Sequence, residues 1–493
     1  MSNDSAERRA FLLEHAASLA SRLLASREPS HDVSAEYLRR RKSLAPEEKR
    51  FIVSWAYATL RVKPLADHLL GHLLDRSDSR FPFAPRKLTT TAAATVLAVM
   101  ATGVPLEGFL PATVEKMAYD REVADACSAL LSRVLSLETE TARDLVSRAL
   151  AGARDIIRRA DTIIAQASAV AEQDADILAA VACVPPWMLR SWAEHPEAPL
   201  GWARAYALGA SLRNPAPVCL RVNAGVLARD EALAILEKTG YRCKPASIAP
   251  AGIVCEERVD VRRIPSHVRA ALEFQDEGSQ LVSYALAPAE DWVVLDACAG
   301  AGGKTLHLAE LGGPRCRIVA ADTEKARLEA LARRAHRAGV RNIEVVLTRH
   351  EKTRTRERRR KLPPTYHAVL VDAPCSGIGR ARRDPLVKFR VNPGSLERLS
   401  RTQRRILEEV AGNVLPDGIL VYATCSLMAA ENESVVRHFL SDHPEFVPDD
   451  LESVFARQGI EIPGLERGAW HIRLTPAEHG TDGFFIARMR RAT

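Results

Sequence analysis

From Asp291 to the C-terminus, short β-prone runs take turns with amphipathic helical stretches. Trp292–Cys298, Arg317–Asp322, Ile343–Thr348, Tyr366–Ala373, Gly418–Thr424 and Gly483–Met489 read as strands. Between them, helices are expected from a Gly-rich turn through Leu311, over Glu324–Ala338, over Pro393–Val414 and over Glu431–Leu440. Such alternation implies helical crossovers between neighbouring strands, and so a doubly wound α/β domain with a mostly parallel sheet. In a sheet of that kind ligands bind outside the carboxyl ends of the strands. The segments that follow the strands are therefore where chemistry is to be sought.

The rest of the 493 residues is organised differently. At roughly 100–200 residues per domain the chain is multidomain. Residues 1–140 read as an all-α domain, with Phe11, Leu12, His15, Leu19 and Leu23 on one helical face and a strong helix over Glu47–Arg61. Leu65–Leu74, Thr89–Thr102, Leu106–Ala118 and Ala124–Leu135 are further helices, and 141–182 is an Ala- and Asp-rich helical connector. Residues 183–285 form a small α+β, RRM-like module, with strands at Pro215–Val222, Arg242–Ile248 and Gly252–Glu256 around a helix at Arg229–Lys238. Modules of this shape often bind RNA, but these strands lack the aromatic residues that stack bases. The α/β domain occupies 286–493.

The formal net charge is +7 and is unevenly spread. Arg349–Lys361 holds eight Lys/Arg against two Glu, and Arg380–Arg390 adds five basic residues against one Asp. Two basic runs flanking one candidate site point to a polyanion, most readily nucleic acid. The first run is expected to contact RNA phosphates. The longest apolar stretch, Thr91–Val104, has 14 residues, short of the about 20 a membrane span needs, so no membrane association is expected. No secretory signal is visible, and a cytoplasmic location is expected. Nine cysteines are scattered without C-x-x-C spacing, which argues against a disulfide framework and a local zinc site. No metal is expected, and the oligomeric state is not legible.

Asp296-Ala-Cys-Ala-Gly-Ala-Gly-Gly-Lys304 follows a strand and opens a helix, so backbone N–H groups face a ligand there. A phosphate-binding P-loop would need Gly at Cys298, and a dinucleotide fingerprint would need Gly at Thr305. Neither NTP hydrolysis nor nicotinamide-dependent dehydrogenation is favoured. Asp322 ends the next strand, where an acid can hydrogen-bond a ribose diol. Spacing alone leaves adenosine binding and a structural turn open. Two later segments narrow the choice. Asp372-Ala-Pro-Cys-Ser-Gly377 ends the fourth strand and Ala423-Thr-Cys-Ser426 ends the fifth. Consecutive strands are usually neighbours, about 4.8 Å apart. Cys375 and Cys425 are thus expected to face one pocket from adjacent strand ends.

With these segments in hand, the chain resembles the Nop/Sun family of RNA cytosine-5 methyltransferases. The resemblance rests on DACAGAGGK (296–304), Asp322, DAPCSG (372–377), RARRDPLVKF (380–389), ATCS (423–426), ENE (431–433), DGFF (482–485) and FQDEGSQ (274–280). It covers roughly residues 183–493. The helical N-terminal part resembles, more weakly, the NusB-like RNA-binding domain of the bacterial members that methylate small-subunit ribosomal RNA. The resemblance implies a Rossmann-like catalytic domain with S-adenosylmethionine as cofactor. That cofactor would lie along Cys298, Ala299, Gly300, Ala301, Gly302, Gly303 and Lys304, with Asp322 on the ribose and Asp372 near the methionine end and the target base. Cys425 occupies the family's nucleophile position and Cys375 that of the second cysteine, which assists product release. Lys304 and Arg380–Arg383 are the cations available to favour a thiolate. The family commonly has Pro where Ala301 stands, and an acid where this chain has Thr348-Arg349. Ribosomal RNA is the expected substrate. Transfer RNA is the alternative, and a catalytically silent RNA-binding scaffold is the rival from another class.

Overall fold

The computed structural model describes residues 3–73, 155–165, 170–348 and 365–493. The helices expected at Thr89–Thr102, Leu106–Ala118 and Ala124–Leu135, and the basic run Arg349–Lys361, lie outside the described residues. The chain divides into two compact units, Met1–Pro215 with Ala381–Val391, and Ala216–Arg380 with Asn392–Thr493.

In the first unit every described regular element is helical. Leu12, Leu19 and Leu23 of the helix Asn3–Ala25 pack with Val33, Tyr37, Ile52, Ala56 and Leu60. Two helices were expected either side of Pro64, but a single helix runs Pro46–Leu73 through it. An internal proline costs about 3 kcal/mol. Here Leu60, Val62, Leu65 and Ala66 are buried on both sides of it, and their burial offsets that cost. The helices Pro186–Glu194 and Trp202–Ser211 also belong to this unit. Their buried Met188, Leu189, Trp192, Ala205 and Leu208 supply the reason.

The excursion Ala381–Val391 corrects the reading of the second basic run. Lys388 is fully buried and donates to the carbonyls of Arg61 (3.0 Å) and Cys183 (2.7 Å). Burial lowers its ammonium pKa to about 8. Arg390 donates to Ser26 O and Glu28 O, and Arg382 to Pro215 O. These cations satisfy backbone acceptors of the helical unit, and Leu386 joins its core. These three side chains thus serve the fold of that unit.

The second unit holds two sheets. The smaller has the order β2-β3-β1-β4, all antiparallel, from β1 (Val218–Val222), β2 (Cys243–Pro245), β3 (Gly252–Cys255) and β4 (Leu272–Phe274). Two features differ from expectation. Cys243 and Cys255 face each other across β2 and β3 and form a disulfide, because strand register places them opposite. β4 carries an exposed aromatic, Phe274. Arg221 of β1, fully buried, pairs with Glu310 and donates to Gln275 Oε1 at 2.7 Å. That contact ties the small sheet to the helix Gly303–Gly312.

The larger sheet consists of β5 (Val293–Asp296), β6 (Arg317–Asp322), β7 (Ile343–Leu347), β8 (Tyr366–Asp372), β9 (Val414–Thr424), β10 (Phe446–Pro448), β11 (His471–Leu474) and β12 (Phe484–Arg491). Its order is β10-β12-β9-β8-β5-β6-β7, with β11 beside β12. β5 to β9 pair in parallel, and β12 is antiparallel to β9, β10 and β11. This is the doubly wound arrangement expected, with a Rossmann-like parallel half. Successive residues face opposite sides of a strand. Val294, Ile318, Leu370 and Val421 enter one core, and Leu295, Val319, Val371 and Leu420 the other. Helices cover both faces, so only the strand ends are open to a ligand.

Candidate active site

The turn after β5 is shaped by two glycines in the left-handed region, Gly300 (φ 54°) and Gly302 (φ 89°). A Cβ on Gly302 would stand 2.5 Å from Leu331 Cγ, so a larger residue there would displace the helix Lys325–Arg337. The Ala299 amide donates to Ala321 O, and Ala301 O accepts from Arg334. Asp322, buried at the end of β6, accepts from the Gly300 amide at 2.9 Å and from the Glu324 amide at 2.8 Å. Its carboxylate therefore holds the turn as well as facing it. At the end of β7, the Thr348 amide donates to Asp322 O, and Arg349 lies outside the described residues. Gly303 begins the next helix and Lys304 lies in its first turn.

Asp296 accepts from Thr305 Oγ1 at 2.7 Å through Oδ2, and the Cys298 backbone also favours its charged form. Burial raises its carboxyl pKa to about 7, opposed by the Thr305 bond. The thiol of Cys298 is half-buried and held protonated, first by desolvation and then by Asp296, Asp372 and Asp322. Lys304 Nζ donates to Asp372 Oδ2 at 2.7 Å and lies 5.2 Å from the Phe484 ring centroid. Burial alone would lower the Lys304 pKa, but Asp372 overcomes it and keeps the ammonium charged.

β8 and β9 are parallel neighbours with Asp372 opposite Ala423. Cys375 and Cys425, both half-buried, meet beyond those ends with their sulfurs 3.4 Å apart. The pair is unequal. The Cys425 pKa is lowered by the hydrogen bond from Cys375, and by the charges of Arg380 and Lys304, against burial and Asp372. Cys375 is pushed well up by the same hydrogen bond, by burial, and by the charges of Cys425 and Glu431. A thiolate at Cys425 receiving a hydrogen bond from a thiol at Cys375 is the arrangement this site favours. Of Arg380–Arg383, Arg380 is the residue whose charge acts on Cys425.

Three groups were not foreseen as contributors. Glu431 binds the residue after each cysteine, Ser376 and Ser426. Asn432 accepts from Thr424 Oγ1 and donates to Ser426 O. Gly483 donates to Gly379 O, and a Cβ on Gly379 would stand 2.0 Å from Gly483 O, so the loop before β12 presses on the loop after Cys375. A polar ENE run straight after apolar Leu427–Ala430 is the signal that could have marked the first two.

A family model described as 16S rRNA methyltransferase RsmB/F matches residues 283–490. A second, described as the ferredoxin-like domain of RsmF/B-like methyltransferases, matches 184–262. A relative from Xylella fastidiosa, ribosomal RNA small subunit methyltransferase B, is 31% identical over 64% of this chain and 70% of its own. The chain belongs to the RsmB/F family. Membership of the RsmB/F family agrees with the Nop/Sun resemblance carried by the sequence motifs. A probable ribosomal RNA small subunit methyltransferase B from Synechocystis is 25% identical over 94% of this chain and 96% of its own. Several other relatives are matched over less than two thirds of their own length. A methyltransferase homologue from Pyrococcus horikoshii, solved by crystallography, superposes with a TM-score of 0.50 at 26% identity, covering 68% of this chain and 99% of that one. No helix among the described residues is long and apolar enough to cross a membrane, and among them no His/Cys/Asp/Glu group is arranged to hold a metal ion.

Proposed function

We propose that this RsmB/F-family chain is an RNA cytosine-5 methyltransferase acting on small-subunit ribosomal RNA through covalent catalysis by Cys425. The observation that carries this reading is the thiol pair, its sulfurs 3.4 Å apart at adjacent strand ends, with the charges of Arg380 and Lys304 acting on Cys425 and that of Glu431 on Cys375. Carbon 5 of cytosine is a poor nucleophile. Addition of the Cys425 thiolate to carbon 6 pushes an electron pair to carbon 5 and splits one hard step into easier ones. Bound S-adenosylmethionine supplies the electrophilic methyl group. Once the Cys425 charge is spent in the bond to carbon 6, Cys375 can release its thiol proton to solvent and accept the carbon-5 proton; the electron pair of that C–H bond re-forms the double bond between carbons 5 and 6, and the bond from carbon 6 to Cys425 breaks to return the thiolate. The target base must leave any stack to reach the thiols.

The residues around the Gly-rich turn fit a nucleoside cofactor. The turn bends through Gly300 and Gly302, both at positive φ, and the Asp322 and Asp372 carboxylates stand beside it at the strand ends. Cys298 to Lys304 and Asp322 would hold it, with Asp372 between Lys304 and the target base. We expect Asp322→Ala to weaken cofactor binding about ten- to a hundredfold, by removing a charge-assisted contact and releasing the Gly300 amide. Calorimetry with a folded variant that binds unchanged would remove the assignment. For the substrate, the full chain is incubated with tritium-labelled cofactor and either 16S ribosomal RNA, small subunits or transfer RNA. Label in the ribosomal RNA, mapped by bisulfite sequencing to one cytosine, is the expected result. Label in transfer RNA alone would overturn the substrate, and label in none would favour a silent scaffold.

A further inference from the structure

Glu431 ends the short turn Ala429–Glu431, five residues past Ser426, and is fully buried. A buried carboxylate is costly unless hydrogen bonds satisfy it. Here four neutral donors do so. Oε1 accepts from the Ser376 amide at 2.8 Å and from Gln403 Nε2 at 3.0 Å. Oε2 accepts from the hydroxyls of Ser376 and Ser426, which also lie 3.1 Å from each other. Ser376 follows Cys375 and Ser426 follows Cys425. One side chain therefore fastens together the two turns that carry the thiols. Gln403 extends the tie to Pro374 O at 3.0 Å.

We propose that Glu431 is the positioning residue that clamps the Cys375 and Cys425 turns together and keeps their thiols in unequal roles. The proposal rests on the covalent reading given above, and it assigns Glu431 no contact with RNA or cofactor. The sulfurs meet across two separate loops, so their 3.4 Å approach requires something to hold those loops in register. Backbone bonds from Ala373 N to Ala423 O and from Gly379 N to Cys425 O join the loops on either side of the thiols, and between those two bonds the carboxylate ties Ser376 to Ser426. Its charge also lies on the Cys375 side of the pair, where it opposes a thiolate. Cys425 is instead flanked by Arg380, Lys304 and Asp372. A glutamine would retain the shape, because serine hydroxyls rotate to accept as well as donate. Only the charge would be lost.

The test is alkylation of the free protein by iodoacetamide across a pH series, with each cysteine followed by peptide mass spectrometry. In the unsubstituted chain Cys425 should react ahead of Cys375 through the neutral range. Glu431→Gln should shrink that preference by about tenfold, the effect of a one-unit change in thiol acidity, with the melting temperature little changed. Ser376→Ala, which removes one arm of the clamp, should move the ratio in the same direction, and it serves if the Gln variant fails to fold. An unaltered ratio in a folded Glu431→Gln protein, or equal changes at both thiols, overturns the proposal. The readout needs neither RNA nor cofactor. A chain that shows the preference and its loss but transfers no methyl group would sink the cytosine-5 reading and leave the clamp standing.

Discussion

Cys425→Ala is expected to abolish methyl transfer and to form no covalent RNA complex, whereas Cys375→Ala is expected to accumulate one. Removal of a covalent nucleophile costs on the order of 10⁴- to 10⁶-fold in turnover, so the first variant should fall to background. The second keeps the thiolate that adds to carbon 6 but loses the group placed to assist proton removal from carbon 5. Addition and methylation go forward, elimination stalls, and the adduct should survive denaturing electrophoresis. The geometry breaks the symmetry between two identical residue types. The two thiols share one hydrogen bond in which either sulfur could donate; the charges of Arg380 and Lys304 favour a thiolate at Cys425, while burial and Glu431 disfavour one at Cys375, so the proton is favoured on Cys375. The pH dependence follows with a definite sign. A nucleophile whose pKa is lowered is already ionised below the usual thiol range near 8.5, so activity should rise with pH through a limb lying below that value. An adduct trapped by Cys425→Ala and absent from Cys375→Ala would exchange the two roles. Full activity in both variants would end the covalent mechanism.

The parallel half of the large sheet was legible because its strands are short apolar runs between turn signals. Arg317–Asp322 was expected with the bounds the structure gives it. The meeting of the two cysteines followed from the same logic, since strands that succeed one another through a helix tend to lie side by side. What stayed hidden depends on non-local contact. Strands β10 and β11 are only three and four residues long, and they exist because β12 offers them a partner. Cys243 and Cys255 look unrelated until β2 and β3 pair in register. Lys388 and Arg390 fall in a run that read as facing a polyanion, and their partners are backbone carbonyls some 200 to 360 residues distant in sequence. Glu431 was visible within a motif, but its work is done through two serines, and no spacing rule links it to either thiol.

The ion pair of Lys304 and Asp372 should show a similarly large effect with a different signature. The two side chains meet at 2.7 Å and are 12% and 28% exposed. Removing one partner of a largely buried pair leaves an uncompensated charge, at a cost of about 3–5 kcal/mol, whereas replacing both is far milder. Lys304→Met strands the Asp372 carboxylate beside Cys425, where its charge opposes a thiolate, and removes a cation that favours one. Two outcomes follow. Thermal stability should drop in Lys304→Met and recover largely in the double variant Lys304→Met/Asp372→Asn. Methyl transfer at neutral pH should fall on the order of 10²-fold or more in Lys304→Met, with the acid limb of its pH profile displaced upward because the Cys425 pKa has risen. The double variant should remain slow, since restoring charge balance does not restore groups aimed at the reacting base and thiol. A double variant no more stable than Lys304→Met would show that the pair is not coupled. An unmoved acid limb in Lys304→Met would show that its charge does not reach Cys425, leaving Arg380 and the Cys375 hydrogen bond to sustain the thiolate.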